Sequence, residues 1–261
     1  MVDWNLEILE KSLAGKYFGH RLYYYPVTGS TNDDAFKLGI AGAPEGTVVV
    51  ADAQTKGRGR LQRAWHSPAG SNIYTTIILR PKMDAARTPQ ISILAGVAVA
   101  EVLESYCPGR VKVKWPNDIL IDGKKVCGIL SQAKAEVNKV DFIILGIGIN
   151  VNINQFPDEI SNIATSLAME TGKIISRQQL IISLYENMTK WYKQLLKDGF
   201  SQIKEKWLSL SQMIGQKVQV IFQEEVISGK AIDLDNDGSL ILIAEDGKKI
   251  KASAGDATIM R

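Results

Sequence analysis

Apolar positions along the chain follow two rhythms, roughly 3.6 residues and roughly 2, and their succession predicts a mixed α/β body followed by a run of short strands. Residues 6–13 repeat at helical spacing and stop near Gly15, so a short amphipathic helix is expected there, with a first strand over 21–27. A second helix opens at Gly29-Ser30-Thr31-Asn32-Asp33-Asp34, where Ser30 or Thr31 can cap the free amides, and continues through Ala35-Phe36-Lys37-Leu38. Strand signals at 47–52 and 71–79 flank a polar loop. Thr88-Pro89-Gln90 starts a long helix to Tyr106 that carries Ile91, Leu94, Ala95, Ala98, Val102 and Leu103 on one face.

Alternation before Trp115 and after Asp118 predicts two strand segments interrupted at Pro116, and Asp122-Gly123 is a hairpin signal. Strands over 128–136 and 140–146 are joined across Val137-Asn138-Lys139, and the run 142–152 is apolar at consecutive positions, as in a strand covered on both faces. A short helical piece ends at Gly172, Ser176 caps an amphipathic helix over 177–197, and another helix spans 200–208. From Gly215 the pattern turns to strands over 217–222, 226–234, 239–244 and 248–252, separated by Asn236-Asp237-Gly238 and Glu245-Asp246-Gly247. The expected fold class is therefore α+β: a mixed sheet with flanking helices over 1–211 and a small β barrel over 212–261 packed on it.

Composition narrows the partners. The 31 basic and 28 acidic residues leave a net charge of +3, so basicity is local, which argues against a general nucleic-acid surface. The two cysteines, Cys107 and Cys127, show no metal spacing and read as small buried hydrophobes. The first residues have no basic region followed by an apolar core, and no uncharged stretch reaches membrane-spanning length; a cytoplasmic setting with no membrane partner is the expectation.

The local basicity sits in Gln54-Thr55-Lys56-Gly57-Arg58-Gly59-Arg60-Leu61-Gln62-Arg63-Ala64-Trp65. Gly57 and Gly59 let backbone approach a ligand or adopt positive φ, while the forks of Arg58, Arg60 and Arg63 suit carboxylate or phosphate oxygens. Trp65 could close over a flat ring such as adenine. A solvated basic loop or an arginine–glycine nucleic-acid contact explains the same residues taken alone. The helix opening at Ser30 and Thr31 reads as a cap or as a ligand-binding mouth. Of Lys124 and Lys125, which follow the turn, only one can face a site, and either could be plain surface charge; Asp118 could orient a lysine, bind a metal or accept a proton. Gly146 and Gly148 leave room for a ligand or a neighbouring backbone. His20 and His66 have no evident catalytic partner.

Together these motifs resemble those of the biotin protein ligases. The resemblance is carried by Ser30-Thr31-Asn32, Gln54, Gly57-Arg58-Gly59-Arg60 with Arg63 and Trp65, Lys114-Trp115-Pro116-Asn117-Asp118, Lys125 with Gly128, Gly146-Ile147-Gly148-Ile149-Asn150, and Ala164-Thr165-Ser166-Leu167, in the family's order over nearly the whole chain. It implies a class II aminoacyl-tRNA synthetase/biotin ligase-like catalytic domain with a C-terminal SH3-like barrel, in the form that lacks an amino-terminal DNA-binding domain. Family members join biotin to the α-phosphate of ATP, with Mg²⁺, and pass biotin to a lysine of a biotin carboxyl carrier protein or domain. No DNA partner is implied, and a homodimer is left open. By the resemblance, Ser30, Thr31, Gln54 and the Arg58 backbone serve biotin's polar edge, with Asn32, Gly57, Gly59, Arg63, Asn117, Gly128 and Gly148 in the same binding set. Trp65 and Asn150 lie near the adenylate, Arg60 and Lys125 supply positive field, and Asp118 assists the carrier lysine; the metal ligands stay unassigned. Many family members have glycine where this chain has Gln62, so the loop is expected to be less flexible here. The loop is expected to be mobile without ligand and to order over the intermediate.

Two rivals share parts of the pattern. A lipoate or octanoate ligase uses the same adenylation logic, but the Gly-Arg-Gly-Arg loop and Lys-Trp-Pro-Asn-Asp favour biotin. A nucleic-acid or corepressor module would read the loop as a phosphate contact, against the near-even charge.

Overall fold

The computed structural model describes residues 4–136, 139–223 and 225–260. Helix α1 (Leu6–Leu13), capped by Asn5, leads into strand β1 (Arg21–Thr28), helix α2 (Thr31–Ile40) and strand β2 (Thr47–Gln54). Strand β3 (Ile73–Leu79) and helix α3 (Pro89–Glu104) follow, then strands β4 (Val111–Lys114), β5 (Asp118–Ile121), β6 (Lys124–Glu136) and β7 (Lys139–Ile149). Two short helices, α4 (Asp158–Ser161) and α5 (Leu167–Thr171), precede α6 (Arg177–Asp198) and α7 (Ser201–Leu210). The turn expected at Val137-Asn138 lies outside the described residues, and Lys139 already belongs to β7.

The first seven strands form one sheet in the order β1-β2-β3-β7-β6-β5-β4, with β1 and β2 parallel and the other pairs antiparallel. Both faces are covered, as the uninterrupted apolar run of β7 requires. Val48, Val50, Ile77, Leu145 and Ile147 bury against the layer of α3 and α6, while Val49, Ile78, Phe142 and Ile144 bury with Ala35 of α2. Helix α2 therefore enters the sheet face on which the candidate site is built.

A second sheet, β11-β10-β9-β8-β12, is made from β8 (Lys217–Phe222), β9 (Glu225–Leu234), β10 (Leu240–Ile243), β11 (Lys249–Ala252) and β12 (Asp256–Ile259). Strand β12 has no counterpart among the expected strands: Asp256-Ala257-Thr258-Ile259 alternate polar with apolar, but over only four residues. The SH3-like module packs on the main body as expected. Val218, Leu234, Leu240 and Ala257 belong to the same apolar cluster as Leu94 and Val113. Trp115, 2% exposed, donates its indole Nε1–H to Gly238 O at 3.0 Å, so this tryptophan closes the seam between the sheets.

Candidate active site

The site is organised by glycines placed opposite one another. The β6–β7 register sets Gly128 across from Gly148, and the β3–β7 register sets Thr76 across from Gly146. Side chains of Trp65 and Asn32, and not a neighbouring backbone, stand over these gaps. A Cβ on Gly148 would stand 2.6 Å from Trp65 Nε1, one on Gly128 3.0 Å from the same indole, and one on Gly146 in overlap with Asn32 Oδ1. Trp65 thus packs its indole on a glycine floor, the ring centroid 5.3 Å from Lys125 Nζ.

Expectation and structure part at the helix mouth. Neither Ser30 nor Thr31 caps α2 with its side chain. The parallel β1–β2 pairing puts Gln54 opposite Thr28, and from there Gln54 Oε1 accepts from Thr31 N at 2.9 Å and from Thr31 Oγ1 at 3.1 Å. The Ser30 side chain, 3% exposed, is thereby spared from capping and lines the cavity. Asn32 is pinned by Thr76 Oγ1, which donates to its Oδ1 at 2.7 Å, and by its own amide donating to Gln132 Oε1 at 3.1 Å.

In the basic loop, positive φ falls on Leu61 (52°) and Gln62 (60°), while Gly57 and Gly59 are outside the left-handed region. Gly57 is needed for space: an added Cβ would sit 2.6 Å from Ser67 Oγ and 2.7 Å from Trp65 O. Gly59 meets nothing closer than 3.6 Å. Arg58 pairs with Asp33 of α2. Arg60 donates to Gly255 O at 3.0 Å and lies 3.4 Å from Asp256, while Arg63 reaches the other Asp256 oxygen at 2.7 Å. Asp256, at the start of β12, is a residue the sequence reading missed; its signal lies 196 positions from Arg60 and in no local pattern. Burial pulls the Arg60 guanidinium below its ordinary pKa range, and Asp256 and Asp118 push it back up.

The far wall comes from the hairpin after Asp122-Gly123, whose two residues have positive φ as a tight turn requires. A bulge skips Val126, pairing Ile119 with Cys127 and Leu120 with Lys125. That extra residue brings Lys125 and Gly128 to one side, with the glycine's missing Cβ 3.2 Å from Lys125 Cε. Lys125 Nζ lies 2.6 Å from Asp118 Oδ1, whereas Lys124 is exposed, as the one-lysine reading expects. Asn117 donates its amide to Ile129 O at 2.7 Å, and its Oδ1 lies 3.5 Å from Arg60 Nη1. Asn150, 4% exposed, donates to Thr165 O at 3.0 Å, which ties the Ala164-Thr165-Ser166-Leu167 stretch to the end of β7.

These residues enclose a cavity of about 880 Å³ lined by Ser30, Thr31, Gln54, Trp65, Lys125 and Asn150 among others, a size suited to a substrate with a bound nucleotide. Arg58, Arg60, Arg63, Lys114 and Lys125 line it against only Asp118 and Asp256, so it favours anions. His66 stands exposed beside it, and His20 is remote, with Nδ1 3.1 Å from Tyr17 O. Cys107 and Cys127 are both buried and unpaired. Among the described residues no group of three His, Cys, Asp or Glu side chains could hold a metal ion.

Residues 24–150 match the model of the biotin/lipoate A/B protein ligase family, and 213–259 match that of the biotin protein ligase C-terminal domain. The chain is 42% identical over 239 residues to the bifunctional ligase/repressor BirA of Bacillus subtilis, covering 91% of this chain and 74% of that one. It is 32% identical over 270 residues to the biotin--[acetyl-CoA-carboxylase] ligase of Mycobacterium tuberculosis, covering 97% and 96%. Among solved structures, the biotin protein ligase of Aquifex aeolicus in complex with biotin and ATP superposes with a TM-score of 0.78 at 31% identity, over 92% of this chain and 99% of that one.

Proposed function

The chain belongs to the biotin protein ligases, and from that premise we propose how its cavity carries out their two half-reactions. The enzyme forms biotinyl-5'-AMP from biotin and ATP, releasing pyrophosphate, and transfers the biotinyl group to a lysine of a biotin carboxyl carrier domain. In the first step a biotin carboxylate oxygen bonds to the α-phosphorus and the bond to pyrophosphate breaks. In the second, the carrier amine attacks the acyl carbon and AMP leaves.

Each step sets a requirement that particular residues meet. Carboxylate and triphosphate repel one another, and Arg58, Arg60 and Lys125 supply the field that lets them approach. The ureido end of biotin needs both an acceptor and a donor. Thr31 spends its proton on Gln54 and, with Thr76 Oγ1 at 2.9 Å, keeps one oxygen lone pair for a ligand N–H, while the uncommitted Ser30 hydroxyl can donate to the ureido oxygen. Trp65, packed against Gly128 and Gly148, offers its indole to adenine. Asp118, 2.6 Å from Lys125 Nζ, is the carboxylate placed to take the proton that the carrier ammonium must lose before it attacks. Mg²⁺ would arrive with the nucleotide, held mainly by phosphate oxygens, and Asp118 and Asp256 are the lining carboxylates that could complete its shell.

The observation that carries this reading is the convergence of five cations on one cavity that also holds the Trp65 floor. The net charge of +3 supports a carrier protein over nucleic acid as macromolecular partner, and no helix is long and apolar enough to cross a membrane among the described residues. The test is incubation with Mg-ATP and either biotin or lipoate, followed by mass spectrometry of the bound adenylate. Biotinyl-adenylate alone is expected, and lipoyl-adenylate or no adenylate overturns the reading.

A further inference from the structure

The subsite assigned to biotin and the subsite assigned to adenine are joined by one directed hydrogen-bond chain. Thr31 N–H and O–H donate to Gln54 Oε1, Gln54 Nε2 donates to Ser67 Oγ at 3.1 Å, and Ser67 Oγ donates to Trp65 O at 2.9 Å. Its direction is forced. The Trp65 carbonyl can only accept, so the single Ser67 proton points there, and Ser67 must then accept from the Gln54 amide. That fixes which end of Gln54 faces Thr31. The joint is sealed, because Ser67 is 8% exposed and the glycine at position 57 leaves no spare volume against either Ser67 Oγ or Trp65 O. The backbone doubles the link, with Gln54 N donating to Ser67 O at 3.2 Å and Trp65 N to Gly57 O at 2.9 Å.

We propose that Ser67 is a positioning residue that couples biotin binding to nucleotide binding, its hydroxyl transmitting the state of Thr31 and Gln54 to the backbone that aims Trp65. The inference rests on the assignment of Thr31 and Gln54 to biotin and of Trp65 to adenine. A ligand that orders Thr31 orders Gln54, and through Ser67 it lowers the cost of holding the indole against Gly148 when adenine arrives. Coupling of this kind is reciprocal, so nucleotide must tighten biotin by the factor by which biotin tightens nucleotide.

The experiment is calorimetric titration of the full chain with biotin and with α,β-methylene-ATP, each alone and in the presence of the other. In the wild type the coupling factor is expected to be about tenfold. Ser67→Ala removes the acceptor and the donor together and is expected to lower that factor by about three- to tenfold, with biotin affinity in the absence of nucleotide changed less than the factor itself. Ser67→Thr keeps the hydroxyl and is expected to retain coupling. Should Ser67→Ala fail to fold, Ser67→Cys, nearly the same size with a weak donor, is judged by the same criteria. Unchanged coupling in Ser67→Ala, or equal loss of both affinities with the ratio intact, overturns the proposal, as does a wild type that binds both ligands independently. A wild type that binds neither ligand overturns the site assignment itself.

Discussion

Replacing Gly148 with alanine isolates the nucleotide side of the cavity. The new Cβ would lie 2.6 Å from Trp65 Nε1, 2.7 Å from Cε2 and 3.0 Å from Cζ2, so the methyl meets three consecutive indole atoms and a small tilt cannot relieve it. Retreat is limited on the other side, where the Trp65 backbone is tied to Gly57 O at 2.9 Å and to Ser67 Oγ at 2.9 Å. Overpacking of this type costs about 1–3 kcal/mol. If the displaced ring is the adenine wall, that cost is drawn from nucleotide binding and the ATP requirement rises by about 5- to 150-fold. ATP–pyrophosphate exchange with biotin saturating reads the first half-reaction alone. Gly146→Ala provides the contrast, because its methyl meets Asn32, whose Oδ1 accepts from Thr76, so its effect is expected first in the biotin dependence. A Gly148→Ala enzyme with wild-type ATP dependence and unchanged melting temperature would show that Trp65 is not the nucleotide wall.

Lys125→Ala should reduce adenylation by about 10²–10³-fold, while the exposed Lys124→Ala should stay near wild type; exchange kinetics of the two variants decide, and the reverse order would reassign the bulge at Val126. Gln62 holds φ 60°; Gln62→Gly removes about 1 kcal/mol of left-handed strain but adds a similar entropic cost in the open loop, leaving proteolysis near Gln62 almost unchanged. Gln62→Val, β-branched at the same φ, should open the loop to protease more readily, and biotin should protect both variants. A thiol reagent should find no fast-reacting cysteine in the folded enzyme and two after denaturation, since burial raises the thiol pKa of both Cys107 and Cys127; a fast native thiol refutes the packing around them.

What could be read from the sequence was local. Helical spacing gave α1, α3 and α6 to within a residue or two, and the doubly apolar run of β7 identified a strand covered on both faces. Residue types also pointed to residues that converge, because Arg58, Arg60, Lys125 and Trp65 do line one cavity. The missing parts depend on partners brought in from elsewhere. The cap of α2 comes from Gln54 on a parallel strand, and helix-start rules consider only neighbours in sequence. Lys125 and Gly128 share a side only because Val126 is bulged, and strict alternation would have set them apart. The glycines of the basic loop suggested positive φ, but Gly57 is there to let Ser67 and Trp65 close in, and the left-handed turn falls on Leu61 and Gln62.

The attachment of Arg60 and Arg63 to Asp256 also bears on how the enzyme is made. A growing polypeptide presents the basic loop early, yet the carboxylate that receives it is synthesised 196 residues after Arg60. At typical translation rates of about 5–20 residues per second, that interval lasts roughly 10–40 s. During it the seven-stranded sheet can form while its arginines stay without this acid. Ribosome-bound chains stopped before β12 should therefore contain every residue proposed to contact biotin and still leave the cavity unroofed, so that competence for catalysis is expected to arrive with the small module and not with the sheet.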